Sequence, residues 1–270
     1  MKSSIVLGND ASGRAATAQS LRRLILPALA ALIGFAVLVS LGTWQLQRRA
    51  WKLDLFERIE ARAYATPGAL PPESEWAAWS PQAQEYRRVR VTGRFLYDKE
   101  APVHGLLPGP QPGQPIQGFY LLTPLELRDG SVVIVNRGFV PTELRDPGRR
   151  PGSDPAGEVT FTGLMRAPEK RGWFVPENDP ARNVWFTRDA DEIARAKGLA
   201  RVAPFLIDAG AGPDAGGWPR GGQTRLAIPN DHLQYALTWF GLALTLAGVF
   251  GAFAWRRRRP GELVPSPPEP

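Results

Sequence analysis

His232 is the residue whose type and position most suggest chemistry. It follows Asp231 and opens an uncharged stretch, LQYALTWFGLALTLAGVFGAFAW. At about 100° per residue of a helix, His232 and Trp239 fall within about 20° of one another on one face, with Tyr235 beside them. An imidazole at a membrane surface, with an aromatic wall one and two turns deeper, suits an axial ligand for haem iron with a flat partner beneath it. Tyr, Trp and His also anchor spans at headgroup depth, so the same residues fit an interfacial belt, and both readings stand. Gly241, Thr245, Gly248 and Ala252 form a second, narrow stripe of small residues about 160–180° away. Such stripes let helices approach closely. If this one packs on another span, the face of His232 and Trp239 is expected to look outward, toward lipid or a partner subunit.

Other chemistries find little to use. The chain has no cysteine, which excludes disulfides, thiolate metal sites and thiol nucleophiles. The second of its two histidines, His104, lies in PVHGLLPGPQPG, a loop composition, and reads as a solvated loop residue. No serine sits in a G-x-S-x-G elbow, and no Walker A, H-E-x-x-H, EF-hand or dinucleotide fingerprint occurs. A hydrolase built on His104 is therefore not expected, and neither is an enzyme of another kind. The formal charge of +7 sits mainly in the tails, since residues 47–231 are nearly balanced. Nucleic-acid binding, which needs a basic folded face, is not expected.

The elements that must position His232 are two spans and the domain between them. Residues 24–46 and 233–255 carry no charge, and each is long enough to cross a bilayer, which takes about 20 residues. The first is too long for an ordinary signal peptide and reads as an anchor. Arg256, Arg257, Arg258 and Arg259 follow the second span and belong on the cytoplasmic side. This predicts a tail over 1–23, a span over 24–46, an extra-cytoplasmic α+β domain over 47–231, a span over 232–255 and a tail over 256–270. Both tails would be cytoplasmic, in a bacterial inner membrane with a periplasmic domain. The domain opens on an amphipathic stalk helix and continues with antiparallel strands in 86–97, 118–127, 131–140, 158–166 and 202–209. Arg128, Asp129 and Gly130 give a hairpin turn, 189–197 a short helix stopped by Gly198, and 102–115, 146–157 and 210–222 loops.

The stretches Leu41–Arg62 (LGTWQLQRRAWKLDLFERIEAR), Tyr86–Tyr97, Val135–Pro141 (VNRGFVP), Pro219–Arg225 (PRGGQTR) and Asn230–Gly241 (NDHLQYALTWFG) together resemble the surfeit locus protein family of cytochrome c oxidase assembly factors. The likeness runs through both spans and across the intervening domain, in the family's order. It implies help in building the haem-copper oxidase, at the step where haem a enters the catalytic subunit, with His232 as iron ligand and an influence of Trp239. Haem a synthesis machinery and membrane lipid are the other partners this implies. A scaffold that steadies the oxidase catalytic subunit without binding haem fits the same resemblance. Trp44, at the outer end of the first span, is expected near the depth of His232, where it could border a pocket. Arg48 and Arg49 read as headgroup anchors or as partners for haem propionates. Gly138, Gly221 and Gly222 read as turn glycines near strand ends. The second axial ligand has no candidate.

Overall fold

The computed structural model describes residues 10–111, 113–212, 217–224, 226 and 230–258, with side chains in the first helix from Ile25 and in the last up to Arg257. Residues 1–9 and 259–270 of the expected tails, Arg259 among them, and Arg225 of the PRGGQTR stretch lie outside these. The chain divides into two compact units, one from the residues up to Leu55 with those from Pro229 onward, the other Phe56–Ile228.

The first unit holds two long helices. Helix α1 (Asp10–Ala63) continues through the stalk segment, its last turns belonging to the second unit, and α4 (His232–Arg258) closes the described chain. Both are long and apolar enough to cross a membrane, which makes this a membrane protein. Their contact is a seam at helical spacing. On α1 the sheltered positions include Ala31, Gly34, Leu38, Gly42 and Gln45; on α4 they include His232, Ala236, Trp239, Ala243 and Leu246. A Cβ on Gly42 would come within 2.7 Å of the Phe240 ring, and one on Gly34 within 3.2 Å of Leu246. This corrects the expectation drawn from the small-residue stripe of α4. Gly241 and Gly248 have nothing within 4 Å of an added Cβ, and Thr245 and Ala252 are exposed. The glycines that permit close approach are on α1, which receives the bulky residues of α4, so the His232 face turns inward.

The second unit is a β-rich domain that also holds the short helices α2 (Pro81–Gln84) and α3 (Ala190–Ala196). Among the described residues its strands are β1 (Gly68–Ala69), β2 (Arg88–Phe95), β3 (Ala101–Leu107), β4 (Ile116–Glu126), β5 (Val132–Pro141), β6 (Val159–Arg166) and β7 (Val202–Ala209). They run in the order β1-β2-β6-β7-β5-β4-β3, and a further pairing of β2 with β4, Arg94 opposite Glu126 and Phe95 opposite Leu125, closes β2-β6-β7-β5-β4 into a barrel. Most pairs are antiparallel, as expected, but the short β1 runs parallel to β2, and β5 and β7 run parallel, with Ile134 opposite Leu206 and Asn136 opposite Asp208. A strand whose faces are both covered suits that pairing. Val133 and Val135 point into a core with Trp76, Val91, Phe205 and Ile207, while Ile134 packs on Trp185 and on Ile193 of α3 (Ala190–Ala196) outside.

Local chemistry explains the junctions. Asp129 accepts hydrogen bonds from Ser131 N (2.9 Å) and Oγ (2.6 Å), and Gly130 takes φ +78°, forming the predicted β4–β5 hairpin. The Asp189 carboxylate caps α3 by accepting from Glu192 N (3.0 Å), and Gly198 at φ +60° ends that segment. Gly138 departs from its expected role: it lies inside β5 at φ +130°, and its Cβ would fall 2.2 Å from the Arg220 carbonyl carbon and oxygen. It is a close-approach glycine, letting residue 220 pair with Phe139 through N–H···O bonds of 2.9 and 3.0 Å. His104 also differs from expectation, standing in strand β3 instead of a loop.

Candidate functional site

The seam between α1 and α4 places one polar pair among apolar residues. The Nδ1 of His232 lies 2.6 Å from Oε1 of Gln45. With the carboxamide oxygen facing the ring, Nδ1–H donates, which fixes the tautomer and leaves Nε2 with its lone pair. That Nε2 is covered and has no hydrogen-bond partner among the described residues. A buried polar atom left in that condition costs about 1–3 kcal/mol. An imidazole oriented by a bond at one nitrogen and unpartnered at the other is the donor type that haem iron takes, so the residues fit the group.

The neighbours sort themselves by exposure. Trp239 is half-buried on the face of His232, two turns along. Tyr235 and Trp44 are 57% and 53% exposed, on outer surfaces, so the covered pair at His232 does not include them. Arg48 lies with its guanidinium 4.1 Å from the Trp51 ring centroid, whereas Arg49 is half-buried one turn after Gln45. Gln45 is the residue that the sequence did not single out. Its signal is there in retrospect: Gly34, Leu38, Gly42 and Gln45 recur at intervals of three and four, which puts a carboxamide on an apolar helix face.

The β-rich unit carries its own polar centres. Asp208, almost fully buried, accepts from Asn136 (2.9 Å) and Arg188 (3.4 Å) at Oδ1, and from Arg166 (3.1 Å) and Thr224 (2.8 Å) at Oδ2. These side chains floor a cavity of about 690 Å³ whose wall includes His104 and Phe186. With two donors on each oxygen, the carboxylate is a structural acceptor and not a free base. His104 lies between Phe186 (centroids 4.8 Å apart, 10° between planes) and Phe119 (4.6 Å). Its ring is held below the ordinary histidine pKa, first by burial and then by the Arg145 guanidinium. A second centre joins Glu100 to Arg137 (3.1 Å) and Thr123 (3.0 Å), and also to Arg150, with Asp154 bonded to Arg137 at 3.0 Å.

The model of the SURF1 family matches residues 32–244, which take in the described β-rich unit, α1 from residue 32 and the first half of α4. The chain belongs to the SURF1 family. It is 38% identical over 237 residues to "Surfeit locus protein 1" of Rattus norvegicus, covering 84% of this chain and 74% of the relative. To the protein of that name from Homo sapiens it is 41% identical over 214 residues, 75% and 69% of the two chains. A "SURF1-like protein" of Caenorhabditis elegans is 36% identical over 220 residues, 76% of this chain and 67% of the relative. The SURF1 match takes in Gln45, His232 and Trp239 alike.

Proposed function

We propose that this SURF1-family chain is a non-enzymatic assembly factor for haem-copper cytochrome c oxidase. In this reading it binds haem a and aids its entry into the catalytic subunit. The observation that carries the reading is the covered, unpartnered Nε2 of His232, with its tautomer set by Gln45. His232 would hold the iron, Gln45 orients the ring, Trp239 stands on the same face, and half-buried Arg49, one turn after Gln45, would suit a propionate. When bound, haem a would supply an iron that takes nitrogen donors and a farnesyl chain that prefers apolar surroundings. The exposed apolar flank of α4, with Leu237 and Leu244 65% and 74% exposed, offers such surroundings. The working partners are the oxidase catalytic subunit, the enzymes that make haem a, and lipid. The basic run after α4 favours a topology with both ends cytoplasmic and the β-rich unit outside, in a bacterial inner membrane.

The test is the haem content and optical spectrum of detergent-purified protein, wild type beside His232→Ala, from cells that make haem a. Wild type near one haem per chain, with a folded mutant that has lost it, is the expected outcome. If both are equally empty while wild type still restores oxidase assembly, a scaffold that steadies the catalytic subunit without haem replaces the reading.

A further inference from the structure

Among the described side chains of the β-rich unit, two large apolar ones are wholly exposed. Trp173 and Phe174 are 100% and 102% exposed, adjacent in sequence at the tip of the segment between β6 and α3. An aromatic pair left wholly in water is unusual for a folded domain and marks an interaction site. The tip is held out on a braced stem. Glu169 N donates to Arg188 O (3.1 Å) on one side. On the other, the Asn178 carboxamide accepts from Phe186 N (2.7 Å) and Thr187 N (3.2 Å) and donates to Thr187 Oγ1 (2.8 Å) and Glu192 (2.7 Å). Arg171 and Glu177 pair across the loop at 3.2 Å, and Val175 N closes a turn on Gly172 O (3.2 Å). The exposure is thus built into the loop and is not a matter of loose ends.

We infer that Trp173 and Phe174 form a wedge that enters the headgroup layer of the lipid bilayer in which the chain is anchored. Lipid suits the tip better than a protein surface for three reasons. A chain with two bilayer-crossing helices always has lipid beside it. Two rings protruding side by side offer a convex point, whereas a specific protein interface needs roughly 800 Å² of matched surface on each partner. Trp is the side chain that prefers headgroup depth, and Lys170 nearby complements lipid phosphates, Arg171 being paired with Glu177.

The absence of cysteine lets one label be read without interference. The full chain, carrying a spin label at Phe174→Cys, is reconstituted in nanodiscs of phosphatidylcholine and phosphatidylglycerol and compared with a label at Arg182→Cys, a position whose side chain is 83% exposed. Collisions with dissolved oxygen are expected to exceed those with a water-soluble nickel chelate at 174, and the reverse at 182. Position 174 is fully exposed, so the substitution removes no internal contact, and unchanged thermal unfolding in detergent serves as the folding control. Nickel accessibility at 174 equal to that at 182 would overturn the inference. So would a label at 174 that is water-exposed in nanodiscs and becomes shielded only when the oxidase catalytic subunit is added, which would make the tip a protein-docking knob.

Discussion

Replacing Gln45 by Leu isolates what the carboxamide does for His232. The two side chains have similar volume and Leu suits the seam, so packing against α4 is kept while the 2.6 Å acceptor for Nδ1–H is removed. The donor left behind is buried, a loss of about 1–3 kcal/mol, and the ring becomes free to turn or to move its proton to Nε2. In the proposed reading the ring would ligate iron through the Nε2 lone pair, so haem affinity should fall about 10–100-fold, the usual cost of removing a hydrogen-bond partner behind a metal ligand. Gln45→Glu should have the opposite tendency, because a carboxylate accepts the Nδ1–H bond more strongly and holds the ring more firmly. The assay is titration of purified, haem-free protein with haem a, followed in the Soret band, for wild type, both variants and His232→Ala. A second readout needs no haem: in His104→Gln protein His232 is the sole histidine, and its nitrogen chemical shifts report the tautomer directly. The reasoning is refuted if Gln45→Leu binds haem as tightly as wild type and shows the same tautomer, while His232→Ala binds none.

Two further predictions concern the β-rich unit. Glu100→Ala leaves Arg137 and Arg150, whose side chains are 7% and 1% exposed, with Asp154 as their remaining carboxylate. Breaking such a buried group costs about 3–5 kcal/mol, and at roughly 2–4 °C per kcal/mol the melting temperature should drop by about 6–20 °C. A drop under about 2 °C in a thermal melt would show that the charges are already solvated. The depressed pKa of His104 predicts a pH dependence. Above the ordinary value of 6.5 the ring is neutral in folded and unfolded chains alike, and its contribution to stability is fully present. As pH falls below 6.5 the unfolded chain takes up a proton first, and the contribution is lost as pH descends through the lower folded-state value. Thermal melts across that range should decline less steeply in His104→Gln than in wild type; equal slopes would contradict the stacked placement.

Much of this was legible in the sequence, for reasons that differ by element. Both bilayer-crossing helices follow from uncharged length, and β2, β4, β5, β6 and β7 from alternation or from runs of β-branched residues. The Asp129–Gly130 turn and the Asp189 cap are local chemistry, which a sequence displays directly. What escaped was set by contacts distant in the chain. Strand β3 holds Pro102, Gly105 and a proline just beyond its end, all loop signals, but pairing with β4 from Ala101 to Leu107 overrides them. The parallel join of β5 to β7 is invisible to periodicity, which carries no direction. Gly138 was seen, yet its reason was not, because the backbone it admits belongs to residue 220. At the site, the type of His232 and the angle to Trp239 could be read from one helix. Which face met α1 depended on Gly34 and Gly42 of the other helix, and Gln45 acquired meaning only once that face was known.

The parallel pairing of β5 with β7 also bears on how the protein is made. Strand β5 is buried on both faces, but the neighbour that covers one of its edges is synthesised some 60 residues later; at about 5–20 residues per second that is a wait on the order of 3–12 s. During that interval VVIVNRGFV presents an apolar, open edge, the form most prone to pair with the wrong strand. The barrel cannot close until Ala209 has emerged, only about 20 residues ahead of the second bilayer-crossing helix. Maturation of this chain is therefore a race between ring closure and capture of its last helix by the membrane, and variants that slow the former should surface as aggregation during synthesis, with little change in the melting of protein that has already folded.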